Sequence, residues 1–211
     1  MISLSHELPH HYLFYSTMKS FTVEIATEQH FKYAAPICQL IEESAKQRGT
    51  GIAKRKPEYV IKKMAAGNAI IALYGDELAG FCYIEAWDHA RYVANSGLIV
   101  NPKFRKNGLA KKIKAKAFNH ARATYPTAKV FGITTSLAVM KINSDLGYKP
   151  VTFSELTQDD AFWKGCQSCP NYDILQRNER KLCLCTGMLA PSQEEAMKLD
   201  LTSKIINNPV V

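Results

Sequence analysis

The chain has 211 residues, 46% hydrophobic and 22% charged, with 27 Lys/Arg against 19 Asp/Glu for a net charge of +8. That size suits one domain with a small appendage, and that balance of apolar and charged residues excludes wholesale disorder. No run approaches the ~18 apolar residues of a membrane-spanning helix, and Met1–Ser20 has neither the basic start nor the apolar centre of an export signal.

The expected setting is therefore the cytoplasm, with no membrane partner and with six cysteines that are reduced or metal-bound, not disulfide-paired. Residues 1–20, with His6, His10 and His11, read as a flexible arm. Residues 21–190 read as a single domain and 191–211 as a tail.

Phe21–Ile25 alternates apolar and polar residues as a strand does. Thr27 can cap a helix running to about Arg48, with Phe31, Ala34, Ala35, Cys38 and Ile41 on one face and Pro36 as a point of kinking or splitting. Gly49-Thr-Gly51 breaks it, and Pro57 starts a second helix that reaches Met64 and closes at Gly67-Asn68. Ala69–Tyr74 and Leu78–Trp87 are strands joined by the hairpin signal Gly75-Asp-Glu. Tyr92–Val100 is the next strand. A helix follows from about Leu109 to Thr124, apolar at Leu109, Ile113, Ala117 and Ala121, with lysines on its remaining faces. Lys129–Thr134 is a further strand, Thr135 or Ser136 caps a helix ending at Gly147, and Lys149–Phe153 is extended. Asp159–Lys181 is less regular, Leu182–Thr186 reads as a last strand, and Gln193–Leu199 as a short helix. This order implies an α/β sandwich of mixed sheet and flanking helices.

The chemistry concentrates at Asn101-Pro-Lys-Phe-Arg-Lys-Asn-Gly-Leu-Ala110, between an apolar strand and a basic helix. The first N–H groups of a helix have no partner within it, and the helix dipole places partial positive charge there. Gly108 lets a ligand approach the backbone and Arg105 adds a fork of donors, so the turn reads as an anion cradle. From Asn101 to Tyr125 there are eight Lys/Arg and no Asp or Glu, which leaves the rest of the chain nearly neutral. Charge confined in this way favours a local polyanion, such as a phosphorylated cofactor, over a nucleic acid.

The signature Arg105-Lys-Asn-Gly108-Leu-Ala110 after an apolar strand resembles that of the GNAT superfamily of acyl-CoA-dependent N-acetyltransferases. Leu98-Ile-Val100 followed by Asn101-Pro102 resembles the family's strand end, and Ala138–Tyr148, ending Leu-Gly-Tyr, resembles its later helix-to-strand passage. The resemblance implies a mostly antiparallel mixed sheet flanked by helices, with one strand bulged and splayed to form a cofactor slot. It implies that acetyl-CoA is the cosubstrate. Backbone groups of Lys106, Asn107, Gly108, Leu109 and Ala110 would bind its pyrophosphate, with Arg105 shaping the loop. Leu98, Ile99 and Val100 would meet the pantetheine arm and acyl carbonyl, Lys111 and Lys112 the outer phosphates, and Asn143 the sulfur or its surroundings.

Acyl transfer to an amine needs a neutral nucleophile, a polarised carbonyl and a proton for the departing thiolate. Many relatives carry a Tyr where this chain has Asn143, and a Glu near the place of Ser96. Asn is no acid at neutral pH, although it can donate a hydrogen bond. Glu85, Asp88 and His89 are the candidate bases, His89 by its intrinsic pKa and each of them equally readable as part of a polar turn. Tyr148 has the right chemistry but reads first as core.

Cys166-Gln-Ser-Cys169 and Cys183-Leu-Cys185 are two close pairs that could bring four thiolates to one structural zinc, the second pair on one face of a strand; buried free thiols are the alternative. Asp159–Arg180, with Trp163, Tyr172, Arg177 and Arg180, falls where the family often builds its acceptor site, and aromatics with arginines suit an amino acid carboxylate. The sequence-based expectation is transfer of an acetyl group to a small amine, glutamate being the named example, by a protein compatible with a homodimer. Two alternatives stand beside it: a zinc-containing nucleic-acid-binding protein, and a GNAT domain that binds CoA without catalysis.

Overall fold

The computed structural model describes residues 20–48 and 53–207. The expected arm, apart from Ser20, and the Gly49-Thr-Gly51 break lie outside the described residues. Seven strands form one sheet: β1 (Phe21–Ile25), β2 (Ala69–Tyr74), β3 (Glu77–Trp87), β4 (Tyr92–Val100), β5 (Lys129–Thr134), β6 (Lys149–Val151) and β7 (Thr186–Ala190). Their spatial order is β1-β2-β3-β4-β5-β7-β6, and every neighbouring pair is antiparallel except β4 with β5. The helices are α1 (Ala34–Arg48), α2 (Pro57–Ala65), α3 (Leu109–Thr124), α4 (Leu137–Asp145), α5 (Asp160–Lys164), α6 (Tyr172–Arg177) and α7 (Gln193–Asn207). Among the described residues no helix is long and apolar enough to cross a membrane.

The unbroken apolar run of β2 follows from burial on both faces. Ile70 and Ala72 join the core under α3, while Ala69, Ile71 and Leu73 join the core under α1 and α2. Each fully buried Ile contributes about 1.5–3 kcal/mol of transfer free energy, so the two-sided core clamps the centre of the sheet. A third cluster, built on Phe131, Phe153, Leu156, Trp163 and Leu175, covers the far end of β4 and β5.

Three expectations change in the structure. The helix expected from Thr27 divides into a 3-10 segment, Glu28–Tyr33, and α1. Pro36 is the third residue of α1 and has no N–H to bond the carbonyl four residues earlier, which ends regular α-helical bonding there. The last strand is Thr186–Ala190 and not Leu182–Thr186. Leu182 and Leu184 are 61% and 62% exposed, so the alternation that looked like a strand is a solvent-facing irregular segment. The tail helix runs to Asn207, beyond the expected Leu199. Its start is fixed by a reciprocal cap, in which Ser192 Oγ accepts from the Glu195 N–H at 3.0 Å and Glu195 Oε2 from the Ser192 N–H at 2.9 Å.

Candidate functional site

The feature on which the site is built is a bulge between β3 and β4. Phe81 pairs with Ile99 and Tyr83 with Ser96, so Gly97 and Leu98 together face the single residue Cys82. Gly97 takes φ +68°, and a Cβ there would lie 2.5 Å from the Tyr83 ring; only glycine fits. On the other edge of β4, pairing with β5 covers Tyr92 to Ala94 only. Beyond Ala94 the two strands part. The opening is a cavity of about 740 Å³ with Asn95, Ser96, Gly97 and Leu98 on one wall and Gly132 to Thr135 on the other. That is an ordinary size for a small-molecule site.

The strand then runs into the expected cradle. Asn101 Oδ1 accepts from the Lys103 N–H at 3.1 Å, opening a short 3-10 turn, and Arg105 Nε donates to the Val100 carbonyl at 3.3 Å, tying loop to strand. Lys106 and Gly108 adopt φ +67° and +69°. For Lys106 this is an uncommon backbone state of the kind held at ligand sites. Gly108 immediately precedes α3, whose first turn has no side-chain cap and no acidic residue. Its opening N–H groups thus remain available to an anion. A Cβ at Gly108 would meet no atom within 4 Å, so the space over the helix start is open.

The eight cations of this region do not form one solvated face. Lys103 pairs with Glu77 at 2.6 Å, Lys111 pairs with Asp145 at 3.0 Å, and Arg122 packs over the Phe118 ring at 4.3 Å. Lys114, expected on an exposed face, is buried and lines the cavity. The signal lay in spacing: residues 114, 118 and 121 share an i, i+4, i+7 stripe, and Phe118 and Ala121 are core.

On the α1/α2 side of the opening lies a second polar group. Glu85 on β3 accepts from the Tyr59 hydroxyl at 2.7 Å and forms an ion pair with Lys63. Burial, foremost, and the neighbouring Tyr83 push the Tyr59 phenol well above its ordinary value, so it acts as a neutral donor. Arg55 donates through Nε to the Tyr83 hydroxyl at 2.9 Å and lies over the Tyr59 ring at 5.5 Å. Arg55 lines the cavity and was not singled out in the sequence, because nothing in its local pattern separates it from the neighbouring Lys54 and Lys56.

Asn143 and Glu85 both line the cavity; His89 does not. Asp88, His89 and Ala90 all take φ between +53° and +61°, a tight turn that carries His89 into a separate depression with Asp159 and Gln158. Asn143 is buried, with Nδ2 donating to the Met188 sulfur at 3.5 Å and Oδ1 without a hydrogen bond. The side chains of Ile99 and Val100 point into the two cores, which leaves their backbone as the part a ligand could meet. Arg180 pairs with Asp160 at the surface and does not enter the cavity, whereas Trp163 and Tyr172 line it.

The cysteine expectation is corrected in part. Cys166, Cys169, Cys183 and Cys185 all line the cavity as free thiols. Cys183 and Cys185 precede β7, so they do not share a strand face. Burial first, and the neighbouring thiols second, raise Cys166 to about 11 and Cys185 to about 12, which keeps them protonated at neutral pH. No group of three or more His, Cys, Asp or Glu among the described residues is placed to hold a metal. The structural zinc is not supported.

The family model of the acetyltransferase (GNAT) family matches residues 36–137. No curated protein matches the sequence at a significant level. Among solved structures, N-acetylglutamate synthase from Neisseria gonorrhoeae, complexed with coenzyme A and N-acetyl-glutamate, is similar with a TM-score of 0.58 at 14% identity, over 82% of this chain and 35% of that one. This chain thus spans about a third of the length of the Neisseria synthase. Rv2747 from Mycobacterium tuberculosis, in complex with CoA, gives 0.58 at 16% identity over 81% and 98% of the two chains. A phosphinothricin acetyltransferase from Sinorhizobium meliloti, in complex with acetyl-CoA, gives 0.56 at 15% identity over 82% and 89%. At such identities the likeness is one of fold: a mixed, mostly antiparallel sheet between helices, with its one parallel pair at β4 and β5.

Proposed function

We propose that the chain, whose residues 36–137 match the acetyltransferase (GNAT) family model, moves an acetyl group from acetyl-CoA to the amino group of a small, carboxylate-bearing molecule. The observation that carries the reading is the sequence of bulge, parted strands and uncapped helix along one stretch, Asn95 to Ala110. The backbone N–H groups of Lys106 to Ala110 hold the pyrophosphate, and Arg105 keeps the loop against Val100. The freed backbone of Leu98 to Val100 receives the pantetheine arm, with the thioester at the parting of β4 and β5. Asn143, beside Gly132, offers its amide to the cofactor.

The acceptor enters from the side of Arg55, Glu85 and the aromatic cover made by Phe162, Trp163 and Tyr172. Arg55 is the cation for a carboxylate. Glu85, fixed by Tyr59 and Lys63, orients the amine and receives its proton. The Neisseria structure with this fold holds N-acetyl-glutamate, which makes L-glutamate the first acceptor to try.

The test is thiol release from acetyl-CoA and, separately, succinyl-CoA, against L-glutamate, other amino acids and polyamines. Turnover with an amino acid supports the reading. Turnover confined to polyamines overturns the acceptor class, and acetyl-CoA binding without turnover on any acceptor identifies a CoA-binding domain without catalysis.

A further inference from the structure

Lys114 is 2% exposed, the one buried lysine among the described residues. Its Nζ stands 5.8 Å from the centre of the Tyr148 ring, and it borders the cavity together with Asn95, Ser96, Gly97 and Asn143. The Cys82 thiol of β3 acts on its charge and the Tyr148 ring, from the segment entering β6, lies beside it, while Asn95 of β4 and Asn143 of α4 share the cavity wall with it. Of these only Cys82 and Tyr148 titrate. Burial raises Cys82 to about 11 and moves Tyr148 upward as well, so both are neutral at physiological pH, and the nearby Arg122 adds no negative charge. Among the described residues no carboxylate acts on Lys114.

A buried ammonium facing no anion is costly, and burial accordingly lowers the Lys114 pKa. On the same cavity wall Asn95 Nδ2 and Asn143 Oδ1 are buried without hydrogen-bond partners, and the buried Tyr148 hydroxyl lies near Asn95. A buried ammonium and the unpartnered Asn95 Nδ2 donor on the wall of one cavity point to an occupant that carries negative charge. The thiolate generated when a thioester is cleaved is such an anion, and Asn143, in the place where relatives carry a phenol, cannot supply it with a proton.

We propose that Lys114 is the counter-ion for the sulfur of coenzyme A. The proposal rests on the acetyl-CoA reading of the slot. In the transfer step the acceptor nitrogen bonds to the acetyl carbon, the carbon–sulfur bond breaks, and its electron pair stays on sulfur. The Lys114 ammonium pairs with that thiolate, which takes its proton from solvent as coenzyme A leaves. The surplus proton on the acceptor nitrogen leaves separately, on the Glu85 side.

The experiment needs no acceptor. CoA and desulfo-CoA are bound to the wild-type chain and to Lys114→Met, affinity is followed by calorimetry, and thiolate formation by its ultraviolet absorbance as pH is varied. The wild type should bind CoA about tenfold more tightly than desulfo-CoA, the worth of one charge-assisted hydrogen bond, and should show thiolate absorbance below the pH at which free CoA ionises. In Lys114→Met the preference should vanish and the bound thiol should titrate like the free one. Equal affinities in the wild type, or a bound thiol that titrates like free CoA, would overturn the proposal. Should Lys114→Met not fold, the wild-type comparison decides by the same outcomes. Failure to bind either ligand overturns the acetyl-CoA reading and the Lys114 role with it, whereas equal binding of both overturns the Lys114 role alone.

Discussion

Gly97 sits so close to Tyr83 that a Cβ added to it would stand 2.5 Å from one ring carbon and 2.9 Å from the next. The ring cannot easily yield, because Arg55 holds its hydroxyl and Tyr59 packs on it edge-on at 5.7 Å. Gly97→Ala therefore combines a left-handed φ with a steric clash at the bulge that opens the slot. The expected cost is about 2–4 kcal/mol of stability, read as a lower melting temperature. Acetyl-CoA affinity should fall with it, since the variant can relieve the clash only by reshaping the bulge. An unchanged melting temperature and affinity would show that the bulge does not set the slot.

Gly108 provides the contrasting case. Its φ of +69° also disfavours a side chain, yet a Cβ there meets nothing. Gly108→Ala should cost the fold only about 1–2 kcal/mol. The methyl group would occupy the space over the start of α3, where the pyrophosphate is proposed to lie, so acetyl-CoA affinity should drop at least about tenfold, roughly 1.4 kcal/mol or more. Calorimetry alongside a thermal melt separates the two effects. A loss of affinity no larger than the loss expected from partial unfolding would count against the cradle.

The parts of this architecture that were legible in the sequence are those set by local chemistry. Apolar alternation marked β1, the Gly75-Asp-Glu turn signal marked β2 and β3, Pro57 marked the start of α2, and the Arg105 to Ala110 turn marked the entry to α3. Elements set by distant packing were not. Leu182 and Leu184 alternate like strand residues but face solvent, and Gly187 to Ala190 pair instead with β5 and β6. The site divided in the same way. The cradle is one contiguous stretch and could be read, whereas Arg55, Glu85, Lys114 and Asn143 meet only through the parting of β4 from β5. Local pattern identified Glu85 and His89 as equals; the turn at Asp88 to Ala90 separates them.

Arg55 gives a test of the acceptor side alone. Its guanidinium is fixed on one flank by the Tyr83 hydroxyl and by the carbonyls of Ala53 and Lys54. Arg55→Met keeps much of the packing over Tyr59 but removes the charge. With an amino acid acceptor, KM should rise about 10- to 100-fold, corresponding to the loss of one to two charge-assisted hydrogen bonds. The same variant should leave acetyl-CoA affinity unchanged, because Arg55 lies on the α2 side of the opening and the cradle lies at α3. Acceptors lacking a carboxylate should be affected far less. Equal losses for both kinds of acceptor would mean that Arg55 serves the fold of the cavity wall and does not read a carboxylate.

The thiols that line the cavity make a prediction about alkaline pH. Cys166 rises to about 11 and Cys185 to about 12, in each case chiefly through burial and then through neighbouring cysteines. A group whose pKa is raised in the folded chain binds its proton more tightly there than when unfolded. The stability this linkage contributes is therefore complete below the ordinary thiol value of 9.0 and is lost as pH climbs through the folded values. Urea unfolding followed across that range should show stability falling between about pH 9 and 12, with a shallower fall in a Cys166→Ser, Cys185→Ser double variant. Alkylation offers a second reading, because the thiolate is the reactive form. At neutral pH these two cysteines should react with iodoacetamide far more slowly than a free thiol of ordinary pKa, as judged by peptide mass. Rapid labelling at pH 7 would show that the pair is ionised there, and that the cavity wall carries negative charge where neutral thiols are described.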